Sequence, residues 1–450
     1  MNLKKYTNFN YSNYKKSNCQ IFYPRNDNDI FTIIDFATKN NKKILPIGAC
    51  LSWYDTIFNS NQILIDLSNF KKSFFFDKTN GTLLISPSYK IYEVTKKINK
   101  YGWSLYSIPG APNATIGGCI GNDVHGKDSY KFGNFGSNII YIELILPNKK
   151  KIKCSKKKNE KIFRAVIGGL GLIGVVVNIQ LKLKKISKYY KTDNFICNSY
   201  KELIYNIYKD KNKYDYINGW IDIHSTKTIA RGVIFKSKKV DEQKLIKKNN
   251  VNTLAIANFF QKIIFGFCIR NNLIKFINFF IFYLFKFKKS NYNSYKDVTY
   301  PLSSYGVDIR EIIEPRSFFE IQVILKKNNL PKSLKDFILK CKKLKLSGFV
   351  TGIKMHKTSK NYLSFSDNGI SININQIFDS NKNFNEIYNK IKILHRYVIM
   401  KKYKIYLCKD FFLNKKEIKI NYINYNKFLS VKKKVDKKEL FYSDFYKRIS

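Results

Sequence analysis

Arginine is scarce in this chain. Only eight of the 82 basic residues are Arg, and the lysines are spread from end to end. Sequence-specific readers of nucleic acid rely on Arg forks and localised basic stripes. The formal net charge of +50 is therefore read as solvated lysine, and no nucleic-acid partner is expected. That field still attracts anionic substrates and membrane surfaces. No C-x-x-C pair occurs among the eight cysteines, Cys19, Cys50, Cys119, Cys154, Cys197, Cys268, Cys341 and Cys408. Their wide, irregular spacing argues against a disulfide framework and a structural zinc site, so reduced thiols in a cytoplasmic protein and no metal are expected. Met1 to Asn10 leads into no apolar stretch with a cleavage site, so no secretory signal is expected. No internal repeat is visible, and no uncharged apolar run reaches the ~18 residues that a spanning helix requires.

What is present begins with length. A chain of 450 residues exceeds what one core usually supports, so two domains are expected, and a 44% hydrophobic content can fill both. The most unusual stretch runs from Gly110 to Gly136, where glycine recurs every few residues. Such a backbone can approach a bulky ligand and offer N–H groups to its phosphates. The run is too polar and too glycine-rich for a core strand or a stable helix, and the plain alternative is a surface loop.

The flanking pattern is that of an α+β domain. Asp29 to Asn40 carries apolar Ile30, Ile33, Ile34 and Ala37 at helical spacing. A strand from Lys43 to Ile47 enters the turn Gly48 to Ser52, then Ile63 to Leu67, Phe74 to Phe76 and Thr82 to Ser86 read as strands. Ile91 to Tyr101 reads as a helix with Val94 and Ile98 inward. Strand after strand before a helix does not suit a doubly wound sheet. Gly169 to Gly174 matches G-x-G-x-x-G letter for letter, yet a helical pattern precedes it and a strand from Val175 follows. A dinucleotide fingerprint needs the reverse order, so no nicotinamide site is assigned there. Ile139 to Leu146 and Ile152 to Cys154 form a hairpin whose basic tip is read as solvated.

Gly117-Gly118-Cys119, Val124-His125-Gly126-Lys127 and Gly133-Asn134-Phe135-Gly136 together resemble the flavin-binding segment of the decaprenylphosphoryl-β-D-ribose oxidase family. That family belongs to the wider vanillyl-alcohol-oxidase type of FAD flavoproteins, and the resemblance extends over nearly the whole chain. It implies a two-domain α+β fold: an FAD-binding domain at 1–186 and 405–450, and an antiparallel-sheet substrate domain at 187–404 with an insertion at 251–289. It assigns FAD to Gly48, Ala49, Cys50, Leu51 and Ser52, and to Gly110, Thr115, Ile116, Gly117, Gly118, Asn122, Asp123, Val124, His125 and Gly126, with Val175 and Tyr406. Two departures stand out in the first loop. Cys50 replaces a usual Gly, and Leu51 replaces the His of covalently flavinylated relatives, so non-covalent FAD is expected.

In the second domain the resemblance places Trp220, Tyr300, Gln322 and Asn373 at the substrate, although a lone Trp is equally well a core residue. Glu320 stands where a second Gln is usual, and a carboxylate there would repel a phosphate. Leu363 to Phe365 and Thr351 to Met355 read as strands. The insertion, with Phe276 to Phe285 at its heart, is broken by Lys262, Arg270, Lys275 and Lys286. Such a basic, aromatic-rich segment suits a membrane interface, a buried helix pair or lid being the alternative.

The activity implied is FAD-dependent oxidation of a secondary sugar hydroxyl, C2 of a polyprenyl-phosphate-linked pentose, as half of an epimerisation. Lys409 would orient or polarise that hydroxyl, and His125 and Lys354 would position flavin, sugar or phosphate. A separate short-chain NAD(P)H reductase would complete the reaction at the inner face of the membrane. Two alternatives remain open: a soluble sugar-lactone or alditol oxidase on the same fold, and a non-catalytic flavin-binding or membrane-surface protein.

Overall fold

The computed structural model describes residues 4–240, 266–268, 273–300, 313, 316–346, 348 and 351–450. Much of the insertion expected at 251–289, and Pro301 and Leu302, lie outside these residues. The chain divides into two units, Met1–Lys185 with Thr358–Ser366 and Lys404–Ser450, and Ile186–Lys357 with Asp367–Tyr403. Mixed helices and sheets in each make it a two-domain α+β protein.

The first unit holds two sheets. Strands β1 (Lys4–Phe9), β2 (Lys16–Phe22), β3 (Ile44–Ile47) and β4 (Ile63–Asp66) lie in the order β1-β2-β4-β3. β1 and β2 pair antiparallel, whereas β4 runs parallel to both of its neighbours. Helix α1 (Asp27–Lys39) is the crossover, capped by Asn26, whose side chain accepts from Asp29 N at 3.0 Å. Its buried stripe Ile30, Ile33, Ile34 and Ala37 meets Ile44, Ile63, Ile65, Val175 and Val177 in one core.

The second sheet contains β5 (Phe74–Asp77), β6 (Thr82–Ile85), β7 (Trp103–Leu105), β8 (Ile139–Ile145), β9 (Lys151–Ser155) and β10 (Val175–Lys185). Its order is β5-β6-β10-β8-β9, with β7 also on β10. Helix α2 (Ile91–Ile98) buries Val94 and Ile98 as the pattern requires. The glycine-rich segment departs from expectation: Ile116–Gly121 form helix α3 and Ser129–Phe132 form helix α4. Glycine disfavours a helix, but six residues suffice here because Thr115 caps the start, accepting from Gly118 N at 3.1 Å. Helix α5 (Glu160–Val166) precedes the G-x-G-x-x-G turn and β10 follows it, the reverse of a dinucleotide fingerprint.

The second unit contributes seven antiparallel strands in the order β14-β11-β13-β12-β16-β17-β15. These are β11 (Tyr189–Cys197), β12 (Tyr216–Asp222), β13 (Arg231–Lys239), β14 (Ser290–Ser294), β15 (Ser317–Lys326), β16 (Gly352–His356) and β17 (Gly369–Phe378). Helices α6 (Tyr200–Tyr208), α7 (Ile274–Phe287), α8 (Tyr295–Thr299), α9 (Leu330–Lys343) and α10 (Phe384–Met400) complete it.

Lys236 on β13 is buried, its ammonium donating to the Lys209 carbonyl and lying 5.0 Å from the Phe195 ring. Burial pulls its pKa down to about 8. Between about pH 8 and the ordinary lysine range the unfolded chain binds the extra proton, so stability contributed here rises with pH. Lys236→Met is expected to flatten that rise in urea unfolding measured from pH 7 to 10. A slope unchanged from wild type would contradict it.

Two sequence readings are corrected. Leu363–Phe365 is not a strand, and Thr358–Ser366 clusters with the first unit instead of the second. The physical cause is buried polar pairing: Asn134 Nδ2 donates to the Phe365 carbonyl at 2.9 Å, and Asn361 Nδ2 donates to Asp123 at 3.3 Å.

Candidate FAD and catalytic site

The first loop leaves β3 at Ile47 and turns through Gly48 to Ser52. A Cβ on Gly48 would lie 2.2 Å from Thr115 Oγ1, so glycine is what lets this loop meet the start of α3. Cys50 adopts φ +53, the left-handed region in which Gly is unstrained. The cysteine thus occupies a glycine conformation at a strain of about 1 kcal/mol. Burial pushes its thiol up to about 12, which leaves it an unreactive neutral group. Among the described residues, the backbone N–H groups of Ala49, Cys50, Leu51 and Ser52 donate to no other group of the chain.

The second loop faces similar constraints. Ile116 N donates to Tyr89 O and Gly117 N to Pro87 O, both at 2.9 Å, which pins the turn to the segment before α2. Nothing lies within 4 Å of a Cβ built on Gly110, and only Thr115 Oγ1 approaches one on Gly118. Asn122 Nδ2 donates to Gly118 O at 3.0 Å, while its buried Oδ1 has no partner among the described residues. Asp123 is wholly buried, and burial raises its pKa; its carboxylate accepts from Gly136 N at 2.8 Å and braces the loop. Val124 donates to the Cys119 carbonyl at 3.1 Å. Gly126 packs against Ser107, a Cβ there falling 2.7 Å from the Ser107 carbonyl carbon. Val175 lies in the core cluster, so its side chain is spent on packing.

Open space beside glycines, undirected N–H groups and one orphaned buried acceptor are what a long polar cofactor with phosphates and hydroxyls would fill, and FAD fits them. Gly48 to Ser52 and Gly110 to Gly126 would hold it.

The ring of His125 sits 5.4 Å from Tyr406 and 5.5 Å from Phe365, and Phe365 stacks on Tyr406 at 4.7 Å. Burial holds the Tyr406 phenol well above its usual range, so it stays protonated. One turn on, Lys409 N donates to the Tyr406 carbonyl at 3.0 Å, and Lys409 Nζ lies 4.8 Å from the Trp53 ring centroid. Trp53 N donates to Cys408 O at 2.9 Å, so the first loop and the Lys409 turn are tied together by backbone. Arg448 completes the tie. Its Nε and Nη2 bond Asp55 at 2.9 and 3.0 Å, and Nη1 bonds Asp410 at 2.8 Å. Sequence reasoning missed Trp53, Phe365, Asp55 and Arg448. One signal was available: in a chain this rich in Lys, an Arg marks a place where a bidentate fork is needed.

The second unit gathers its own polar row. Register places Trp220 opposite Gly352, and Gln322 opposite Asn373. Asn373 Oδ1 accepts from Gly352 N at 2.8 Å, which links the two pairs across four strands. Because side chains alternate, Lys354 and Ser371 share this face, as do the paired Glu320 and Asn375. Ser371 Oγ is 2.8 Å from His356 Nε2. Tyr300, directly after α8, is buried.

Residues 20–155 match the model of the FAD binding domain. A putative D-arabinono-1,4-lactone oxidase of Neurospora crassa is 24% identical over 35% of this chain and 28% of its own length. A mitochondrial D-lactate dehydrogenase [cytochrome] of Arabidopsis thaliana is 24% identical over 38% of the chain and 31% of its length. The decaprenylphosphoryl-beta-D-ribose oxidase of Mycolicibacterium smegmatis is 23% identical over 41% of both. The chain thus spans well under half the length of these relatives.

By fold and domain match, this chain carries an FAD-binding domain at residues 20–155. FAD is its cofactor. With Leu51 in place of an imidazole, acid precipitation is expected to release all of the flavin into the supernatant. Yellow colour retained in the pellet would contradict it.

Among the described residues no helix is long and apolar enough to cross a membrane.

Proposed function

We propose that this protein oxidises a secondary sugar hydroxyl to a ketone, the substrate being a pentose carried on a polyprenyl phosphate and the position C2. The observation that carries the reading is Lys409, held over Trp53 and one turn from the His125, Phe365 and Tyr406 cluster. Bound FAD supplies the hydride acceptor. Lys409 orients the hydroxyl through Nζ and relays its proton, His125 and Tyr406 wall the reacting carbon, and the Trp53 face limits where the amine can go. In the second unit Trp220, Asn373 and Gln322, with Lys354 and Tyr300, take the sugar and its phosphate. The likeness to a decaprenylphosphoryl-beta-D-ribose oxidase supports the lipid-linked substrate.

The ketone would pass to a separate short-chain NAD(P)H reductase, completing a C2 epimerisation in the synthesis of cell-envelope polysaccharide such as arabinan. The protein would work in the cytoplasm at the inner face of the membrane. A second reading, oxidation of a free sugar lactone or polyol, is favoured by the likeness to a lactone oxidase. Anaerobic absorbance separates them. Bleaching of the flavin band by a polyprenyl-phosphate pentose supports the first reading, bleaching only by a lactone or polyol supports the second, and no bleaching by either overturns both.

A further inference from the structure

Helix α7 is apolar on both sides. Ile274, Ile277, Asn278 and Phe282 face the unit, where Asn278 Nδ2 donates to Asp222 Oδ1 at 3.0 Å and Phe282 lies 4.5 Å from the Arg231 guanidinium. A ring contact of 5.0 Å between Phe285 and Phe235 adds to this anchorage, so the outward face is fixed in direction. That outward face carries Phe276, Phe280, Leu284 and Phe287, exposed by 64%, 63%, 68% and 85%. Four large apolar side chains at helical spacing form a patch that soluble proteins seldom leave to water.

Beside the end of α7 lies a groove of about 460 Å³, lined by Asn194, Asn198, Asn206, Lys286 and Lys289 over Phe195. Asn194 is only 8% exposed, and its Oδ1 is buried with no partner among the described residues. Its Nδ2 is used by the Lys288 carbonyl at 2.6 Å, so the amide is held with its oxygen unsatisfied. Two ammonium groups and an orphaned acceptor suit a ligand that carries both an anion and a hydroxyl. Lys286 also flanks the aromatic face of α7, which puts cation and apolar surface side by side, as a bilayer surface requires.

We propose that this groove binds the phosphate and hydroxyls of an anionic phospholipid headgroup while Phe276, Phe280, Leu284 and Phe287 enter the acyl boundary. The inference rests on the membrane-surface part of the proposed function and adds a headgroup site to it. It places the lipid contact on β11, α6 and the end of α7, away from the polar row of β12, β15, β16 and β17 in the same unit.

Flotation of the full-length FAD-loaded protein with vesicles tests it. Phosphatidylcholine vesicles with phosphatidylglycerol should bind the protein, and phosphatidylcholine alone far less. Lys286→Glu with Lys289→Glu should lower partitioning to the mixed vesicles by at least about thirtyfold, the loss of two lysine attractions alone, with carboxylate repulsion adding to it. Phe280→Ser with Leu284→Ser should weaken binding to both vesicle types. Flavin content and circular dichroism should match wild type in every variant. Flotation that is indifferent to phosphatidylglycerol, or unchanged in the double Glu variant, overturns the headgroup site but leaves the membrane reading standing. No flotation on either vesicle overturns both. Glycerol phosphate binding that is lost in Lys286→Glu with Lys289→Glu, in a protein whose flotation does not depend on phosphatidylglycerol, assigns the groove to a soluble phosphate and overturns the lipid. Flavin bleaching by substrate reports the oxidase reading separately.

Discussion

Arg448→Met is expected to destabilise the first unit by about 3–5 kcal/mol, the cost of leaving buried carboxylates without their cation. Arg448 binds Asp55 with one edge and Asp410 with the other, and Nη1 also donates to the Leu413 carbonyl at 2.6 Å. Both carboxylates are almost wholly buried. Burial pushes the Asp55 carboxyl up, and Arg448 offsets part of that. Urea unfolding of the FAD-loaded protein measures the effect. Arg448→Lys should recover only part of it, because an ammonium cannot bond two carboxylates with a fork. A triple variant with Asp55→Asn and Asp410→Asn should recover more than Arg448→Lys, since no buried charge then remains. A loss below about 1 kcal/mol in Arg448→Met would show that the clamp is a solvated pair of the ordinary surface kind. Because the clamp spans the first FAD loop and the Lys409 turn, flavin should also dissociate more readily from Arg448→Met.

Lys409→Ala is expected to keep its FAD and lose substrate-driven flavin reduction by about 10²–10⁴-fold, the usual contribution of a positioned proton-transfer group. Anaerobic stopped-flow bleaching with a polyprenyl-phosphate pentose reads the rate, and the visible spectrum reads the flavin. The backbone of the turn is held by Trp53 and Asp410 and does not need the lysine side chain, so cofactor loss is not expected. Trp53→Leu should give a smaller reduction, because the ammonium loses its aromatic platform but remains in place. A Lys409→Ala enzyme that bleaches at the wild-type rate would remove Lys409 from the reaction. One that loses flavin would make the residue structural.

The legible parts of the chain are those whose cause is local. Helix α1 could be read because four apolar residues at helical spacing and an Asn cap sit within one short stretch. The G-x-G-x-x-G turn could be excluded from nicotinamide binding because helix and strand flank it in the wrong order. Strands β1 and β2 were not legible. They are polar and lysine-bearing, and what makes them strands is pairing with each other and of β2 with β4, some forty residues on. The helix at Ile116–Gly121 was missed for the same kind of reason. Its glycines argue against helix, and its backbone is held from outside by Pro87, Tyr89 and the turn at Gly168 to Gly171.

The glycine spacing from Gly110 to Gly136 was enough to point to a large phosphate-bearing ligand, the scarcity of arginine argued against nucleic acid, and the strand and helix order pointed to an α+β domain. Flavin, and the expectation from Leu51 of an unattached one, came from the resemblance carried by Gly117 to Cys119, Val124 to Lys127 and Gly133 to Gly136. These are statements about backbone freedom, charge, element order and short motifs, and each is settled along the chain. Folding decided which side chains share a place. Arg448 meets Asp55 across 393 residues, Phe365 reaches Tyr406, and Trp220, Asn373 and Gln322 fall on one sheet face. No local pattern encodes such meetings, because strand register and chain return are set by burial of the whole core. The aromatic outer face of α7 shows the same division: the sequence spells its residues, and only the packing of Ile277, Asn278 and Phe282 determines which of them are left to solvent.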